Sequence, residues 1–213
     1  MPKTHRGTSA ASVTSSLVDG DHTPPGPPVD QARIRRAVRE ILLAIGEDPE
    51  REGLAQTPAR VARMYAELFS GLHVEPRTVV QKQFTQKYDE MVLVKNIGFA
   101  SICEHHLMPF VGRAHIAYLP QGRIVGLSKI PRVVEILAHR PQVQERMTQE
   151  LADLLMSELG ARGVGVILEA GHSCMTVRGV RNPTSTCTTS AMRGAFESNQ
   201  STRAEFMAHI RDQ

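Results

Sequence analysis

The chain has 213 residues, and its 25 Lys and Arg against 22 Asp and Glu leave a formal charge of +3. This small charge and an aromatic content of only 4% argue against a dedicated binder of nucleic-acid polymers or of membrane surfaces. No apolar run reaches the ~20 residues of a membrane helix. Three separated cysteines do not make a disulfide framework, so we expect reduced thiols and a cytoplasmic protein.

The first elements along the chain are predicted to be a tail and two helices. Residues 1–29 are rich in Gly, Pro, Ser and Thr, a composition that predicts a disordered N-terminal tail. Residues 30–72 form a helical region, with Asp30 as the cap of a helix over 31–45. A second helix is expected from Thr57, a cap residue followed by proline.

The pattern then changes to strands, and residues 73–197 are predicted to be the main domain. Strands are expected over residues 91–102, 112–119, 163–177 and 186–192, with helices over 131–138 and from Pro141 to Leu159. This order predicts an α+β fold, with a four-stranded antiparallel sheet and a helical pair between its two hairpins. A C-terminal extension over residues 198–213 is expected to be helical.

The densest cluster of chemically active side chains is Cys-Glu-His-His at residues 103–106. A Cys-x-x-His spacing lets one turn point a thiolate and an imidazole at one metal ion, although a buried cysteine beside surface histidines explains it equally well. His172 and Cys174 lie in the third predicted strand, where period two places them on one face. Cys103, His106 and Cys174 would suit zinc (Zn²⁺) and leave a fourth position for water. Two histidines then remain as acid–base groups: His105 and His172.

Five further charged or polar residues are candidate nucleotide ligands. Ser128, Lys129 and Arg132 lie at the start of a predicted helix, a reasonable polyphosphate cradle, although a solvated basic helix face is the commoner explanation. Arg178 has the strand parity of Cys174 and would extend the metal face toward an anionic group if the strand persists, although a surface arginine is the commoner explanation. Glu145 lies opposite the apolar stripe of its helix, where a carboxylate is either solvated or a two-point acceptor for guanine.

Taken together, these motifs resemble the GTP cyclohydrolase I family over residues 31–197. The matching strings are Thr-Pro-Ala-Arg-Val-Ala-Arg-Met-Tyr (57–65), Cys-Glu-His-His (103–106), Gly-Leu-Ser-Lys-Ile (126–130), Arg-Pro-Gln-Val-Gln-Glu-Arg (140–146), His-Ser-Cys (172–174) and Thr-Thr-Ser-Ala-Met-Arg-Gly (188–194). The resemblance implies the T-fold, in which subunits join their sheets into a barrel. It also implies a homodecamer of two pentamers, with active sites at subunit interfaces.

The reaction that the resemblance implies converts GTP and water into 7,8-dihydroneopterin triphosphate and formate. Zinc would acidify a water for attack on C8 of the purine. The implied zinc ligands are Cys103, His106 and Cys174. The implied catalytic residues are His172, which protonates N7, His105 as a second acid–base group, and Ser128 near the ribose. The implied substrate ligands are Lys129, Arg132, Arg178 and Arg60 for the triphosphate, and Glu145 with backbone groups near Gln144 for guanine.

Two other functions stay open at this point. The chain could be a nucleotide-binding or assembly subunit that keeps zinc as structure, or a T-fold enzyme for another pterin or deazapurine step. The sequence also does not choose among folate, biopterin and deazapurine synthesis as the fate of a pterin product.

Overall fold

A computed structural model describes residues 29–211 of the chain. The predicted tail over residues 1–29, apart from Val29, and the last two residues of the C-terminal extension lie outside the described residues. The helices are α1 (Gln31–Ala44), α2 (Thr57–Leu68), α3 (Arg77–Val80), α4 (Lys129–Ala138), α5 (Gln144–Leu159), α6 (Ser173–Thr176), α7 (Ala195–Ser198) and α8 (Gln200–Arg211). The strands are β1 (Gln83–Thr85), β2 (Val92–Cys103), β3 (Pro109–Leu119), β4 (Arg123–Val125), β5 (Pro141–Gln142), β6 (Gly163–His172) and β7 (Cys187–Gly194).

The two N-terminal helices pack against each other as the predicted helical pair. Asp30 caps α1, since its carboxylate accepts a hydrogen bond from the backbone N–H of Arg33 at 2.9 Å. The chain leaves α1 at Gly46, where φ is +88°, a conformation that glycine adopts without strain. Gln56 rather than Thr57 is the cap residue of α2, and no side chain caps this helix. The predicted capping role of Thr57 is therefore wrong.

The main sheet has five strands, in the order β5-β2-β3-β6-β7. Its four long strands are antiparallel to their neighbours, whereas β5 adds a two-residue parallel edge at the end of β2. The predicted four-stranded antiparallel sheet is thus corrected to five strands of mixed direction. A separate two-stranded sheet joins β1 and β4, which were not predicted.

Helices cover both faces of the main sheet. On one face, α4 and α5 bury a continuous apolar core that includes Val133, Leu151 and Leu155. On the other face, α7 and α8 bury Phe196 and Phe206, whose ring centroids lie 5.5 Å apart. This arrangement confirms the predicted α+β class and the helical pair between the hairpins. Within the part of the chain that the structure describes, none of the helices has the length and apolarity to cross a bilayer.

The start of α5 differs from the sequence prediction. Pro141 and Gln142 pair with Ile102 and Cys103 of β2, so the chain is extended there and the helix begins only at Gln144. This short parallel pairing brings the start of α5 to the end of β2. The same end of the sheet carries the candidate metal ligands Cys103, His106 and Cys174.

Candidate metal and catalytic site

The turn between β2 and β3 carries the first two candidate metal ligands. The backbone N–H of Leu107 donates to the carbonyl of Cys103 at 2.9 Å, and the N–H of Cys103 donates to the carbonyl of Met108 at 2.9 Å. Leu107 has φ of +51°, an uncommon conformation for a residue with a Cβ. These bonds close the turn tightly, and the turn brings His106 back toward the buried Cys103.

The third candidate ligand lies just past the end of β6. The predicted strand over residues 163–177 is too long, because β6 ends at His172 and the chain turns into α6. Cys174 therefore lies in a helical turn and does not share a strand face with His172. The turn nevertheless brings Cys174 to the metal group. One ligand atom from each of Cys103, His106 and Cys174 lies within 4.8 Å of the others.

The chemistry of this donor set fits zinc. Two thiols and one imidazole are ligands that zinc prefers, and three protein ligands leave a fourth position. Burial raises the pKa of the Cys174 thiol, and the neighbouring Cys103 raises it further. Because a metal binds the thiolate, this site would release protons when it is loaded.

Arg178 contacts the candidate metal group directly. The Nη1 atom of its guanidinium donates a hydrogen bond to Nε2 of His106 at 2.9 Å. The sequence placed Arg178 on a strand, but the strand has already ended and the residue follows α6. Its side chain nevertheless reaches the candidate metal group, and its role toward an anionic substrate stays a prediction.

His172 is held in one orientation by the side chain of Gln144. The Gln144 side chain is buried, and its Oε1 lies 2.7 Å from Nε2 of His172. The Nε2 of the same amide donates to three acceptors: the carbonyls of Leu168 (3.1 Å) and Cys187 (3.0 Å) and the hydroxyl of Thr189 (3.1 Å). The His172 ring stacks on Phe110, with centroids 4.7 Å apart and planes within 2°.

These contacts define which nitrogen of His172 carries the proton. The carbonyls of Leu168 and Cys187 only accept, so the nitrogen of the Gln144 amide must face them. Its oxygen then faces His172 and accepts the Nε2–H, which leaves Nδ1 to exchange protons. Burial lowers the pKa of His172, and the nearby Glu145 partly opposes this shift. His172 is therefore mostly the neutral imidazole at pH 7.

Glu104 and Arg146 form an ion pair that the sequence analysis did not identify. Glu104 lies in the turn between β2 and β3, called the metal turn here because it carries Cys103 and His106. The Arg146 guanidinium lies 2.5 Å from the Glu104 carboxylate and holds the pKa of that carboxyl below its usual range. His105, 65% exposed, lies next to it with Nε2 3.9 Å from the other carboxylate oxygen. Both members of the pair lie inside motifs that the sequence analysis quoted, so only their proximity in space was missing.

Glu145 and Gln144, the predicted guanine ligands, are adjacent in the first turn of α5. Glu145 is exposed and close enough to influence the pKa of His172, so it faces the same region. The Gln144 side chain makes all its bonds inside the protein, which leaves only its backbone for a ligand. Their roles toward guanine stay predictions.

Ser128 and Lys129 lie at the far end of α4 from the metal group. α4 ends at Ala138, whose carbonyl accepts a hydrogen bond from Ser101, close to Cys103, at 2.7 Å. At 1.5 Å rise per residue, the ten residues of α4 put Lys129 roughly 15 Å from that end. Within one chain, these two candidates do not converge with the metal ligands.

Arg132 and Arg60 complete the predicted set. Arg132 is half-buried, one turn into α4. Arg60 is exposed on α2, a helix that packs mainly against α1 rather than against the sheet. The structure therefore brings the three candidate metal ligands close to His105, His172, Arg178 and the start of α5. The other candidate cations lie away from this group: Lys129, Arg132 and Arg60.

An α+β chain that gathers two cysteines and a histidine beside a second, oriented histidine has the features of a metal-dependent enzyme. The family model for GTP cyclohydrolase I matches residues 34–211. The chain belongs to the GTP cyclohydrolase I family, which confirms the resemblance and the predicted enzyme class.

Several relatives are similar to this chain over most of their length. GTP cyclohydrolase 1 of Rhodopirellula baltica is 59% identical over 190 residues, 89% of this chain and 83% of the relative. That of Clostridioides difficile is 59% identical over 184 residues, 85% of this chain and 97% of the relative. Among solved structures, the apo archaeosine synthase QueF-Like covers 51% of this chain and 97% of its own, with 15% identity and a TM-score of 0.42.

Proposed function

We propose that this protein is a GTP cyclohydrolase I that hydrolyses the imidazole ring of GTP at C8. It releases formate and, after ribose rearrangement and ring closure, yields 7,8-dihydroneopterin triphosphate. The observation that carries the proposal is the convergence of Cys103, His106 and Cys174 within 4.8 Å, near the oriented His172, in a chain of this family.

The proposed cofactor is zinc, held by Cys103, His106 and Cys174. When bound, zinc makes a water acidic enough to supply hydroxide near neutral pH. All three cysteines of the chain are free thiols, as a thiolate metal site requires. This supports a cytoplasmic location, where thiols stay reduced.

His172 is proposed to deliver a proton to N7 of the purine through its Nδ1 atom. Gln144 occupies Nε2 and Phe110 supports the ring face, so Nδ1 is the nitrogen left for the substrate. Because the neutral imidazole carries its proton on Nε2, Nδ1 would first accept the proton released by the water that adds to C8 and would then donate it to N7. The lowered pKa of His172 favours that donation. His105, exposed beside the metal turn, is the proposed second acid–base group.

Glu145 is proposed to anchor guanine. Its carboxylate is exposed at the start of α5, adjacent to the residue that orients His172. A carboxylate accepts from N1–H and from the 2-amino group of guanine together, a contact that adenine cannot complete. This position would place the base with its imidazole ring toward His172 and the metal group.

The remaining substrate contacts are proposed to be shared between subunits. Ser128 near the ribose, and Lys129, Arg132, Arg178 and Arg60 at the triphosphate, are the proposed ligands. Only Arg178 lies at the metal group in a single chain, and Lys129 is at the far end of α4. A site that spans subunits explains this separation, and the proposed assembly is the T-fold homodecamer of two pentamers.

The test is to incubate the zinc-loaded protein with GTP and to measure formate and the dihydropterin absorbance together. Equal formate and pterin formation is the expected result. Cys103→Ser and Cys174→Ser should lose zinc and turnover together, whereas His172→Ala should retain zinc and GTP binding. Fully loaded protein that binds GTP without releasing formate would instead indicate a binding or assembly subunit.

A further inference from the structure

The metal turn is attached to the rest of the protein by more than its own strands. The backbone N–H of Glu104 donates to the carbonyl of Gln142 on β5 at 3.0 Å. The side-chain carboxylate of Glu104 then accepts a hydrogen bond of 2.5 Å from Arg146, in the first turn of α5. Glu104 therefore joins the metal turn to two elements that lie outside the β2–β3 hairpin.

The Arg146 side chain donates hydrogen bonds both to the metal turn and to strand β5. Its Nη2 atom, which donates to Glu104, also donates to the carbonyl of Pro141 at 3.1 Å. Its Nε atom donates to Oε1 of Gln142 at 3.2 Å. Gln142 is buried and donates in turn to the carbonyl of Leu137 at 3.0 Å. The guanidinium is thus held by fixed acceptors, and it presents a rigid positive group to the turn.

This attachment matters because the candidate ligands come from two separate segments. Cys103 and His106 flank Glu104 on the β2–β3 turn, whereas Cys174 comes from α6 after β6. A shift of the turn relative to α6 would separate the ligand atoms. Residues that orient metal ligands commonly change metal affinity by 10–100-fold when they are removed.

We infer that Glu104 and Arg146 are positioning residues that hold Cys103 and His106 at the spacing a metal ion needs. The inference rests on the proposed zinc site and assigns a role to two residues that bind neither metal nor substrate in the proposed mechanism.

The competing interpretation is that Arg146 is a further cation for the triphosphate. Its side chain is 43% exposed, so a ligand could reach it. Its three protein acceptors favour the positioning role, because they already occupy Nε and Nη2. The two interpretations differ in what Arg146 controls: metal affinity in one, and the KM for GTP in the other.

The experiment is a double-mutant cycle on the full chain, with Glu104→Ala, Arg146→Ala and the double variant. Asp153→Ala is the matched control, since Asp153 lies on the same helix and forms an ion pair of 2.6 Å with Arg193, away from the metal turn. Zinc dissociation constants are measured by competition with a chromophoric chelator. Unfolding in urea is followed on the same samples.

Each single variant should raise the zinc dissociation constant about tenfold. The dissociation constant of the double variant should be about equal to that of the more affected single variant, because the two residues act as one pair. Arg146→Lys should recover part of the affinity, and Asp153→Ala should stay within about twofold of wild type. Unchanged zinc affinity in Glu104→Ala and Arg146→Ala, or an equal loss in Asp153→Ala, would overturn the inference. So would a change confined to the KM for GTP. Wild-type zinc stoichiometry is read independently and tests the proposed function itself.

Discussion

Replacing Gln144 with methionine keeps the length of the side chain and removes the amide that orients His172. In the wild type this amide accepts from His172 Nε2 at 2.7 Å and donates to the carbonyls of Leu168 and Cys187. The thioether of methionine replaces none of these bonds with one of similar strength. Gln144→Met therefore tests whether the buried amide serves catalysis or only the fold.

The structure gives the size of both effects. Two buried carbonyls lose a donor and His172 loses its acceptor, and each such loss costs about 1–3 kcal/mol. With each of the three losses at the low end of that range, we expect the free energy of unfolding to fall by about 3–4 kcal/mol. Without its acceptor, His172 can rotate on the face of Phe110 and exchange tautomers, so we expect kcat to fall about 10²-fold, within the contribution of a positioned acid–base group.

The assay measures kcat and KM for GTP by formate release, alongside urea unfolding. Thr148→Val is the matched control. It removes a buried hydroxyl from the same helix, with bonds of 2.7 Å to the Gln144 carbonyl and 2.6 Å to Thr189, but it has no bond to His172. We expect Thr148→Val to lose stability and keep kcat within about threefold. If Gln144→Met lost stability but retained kcat, the amide would be structural and the assignment of Nδ1 would fail.

Three further predictions concern pH, guanine and the sheet. Burial lowers the pKa of His115, so the unfolded chain binds protons more readily and stability is lost as the pH falls below about 6.5. Relative to His115→Leu, wild type should therefore lose up to about 1.4 kcal/mol of unfolding free energy per pH unit below 6.5, and parallel curves in urea titrations would contradict this. Glu145→Gln should raise the KM for GTP about tenfold with little change in stability, because the side chain is exposed; an unchanged KM would remove Glu145 from the site. Gly112→Ala should cost about 2–3 kcal/mol, because its Cβ collides with the Glu169 carbonyl on β6, whereas Gly98→Ala, with open space around its Cβ, should be nearly neutral in the same urea assay.

Local sequence patterns predicted the elements whose signals lie within a few residues. Apolar periodicity and the Asp30 cap placed α1, and alternation placed the long strands. The pattern could not reveal β5, because two residues carry no period and the strand exists only through pairing with β2. The end of β6 at His172 was missed for a similar reason, since the next residues form α6 without a breaker.

Some features of the candidate site could likewise be predicted from the sequence, whereas others are visible only in the structure. Residue type and spacing predicted Cys103, His106 and Cys174 as candidate metal ligands, because the ligand preferences of a metal depend on chemistry that is visible in the sequence. The partnership of Gln144 with His172, and of Glu104 with Arg146, joins residues that lie 28 and 42 positions apart. Nothing local in the sequence pairs such residues.

Residue types and their local periodicity were enough to predict the chemical groups of this protein and the order of its longer helices and strands. Strand pairing and helix packing then bring particular groups together. They gather the candidate metal ligands from two turns, orient His172 against a buried amide, and leave Lys129 at the far end of α4. The physical reason is that residue type and periodicity are local properties. Distances between side chains depend on strand pairing and helix packing across the whole sheet.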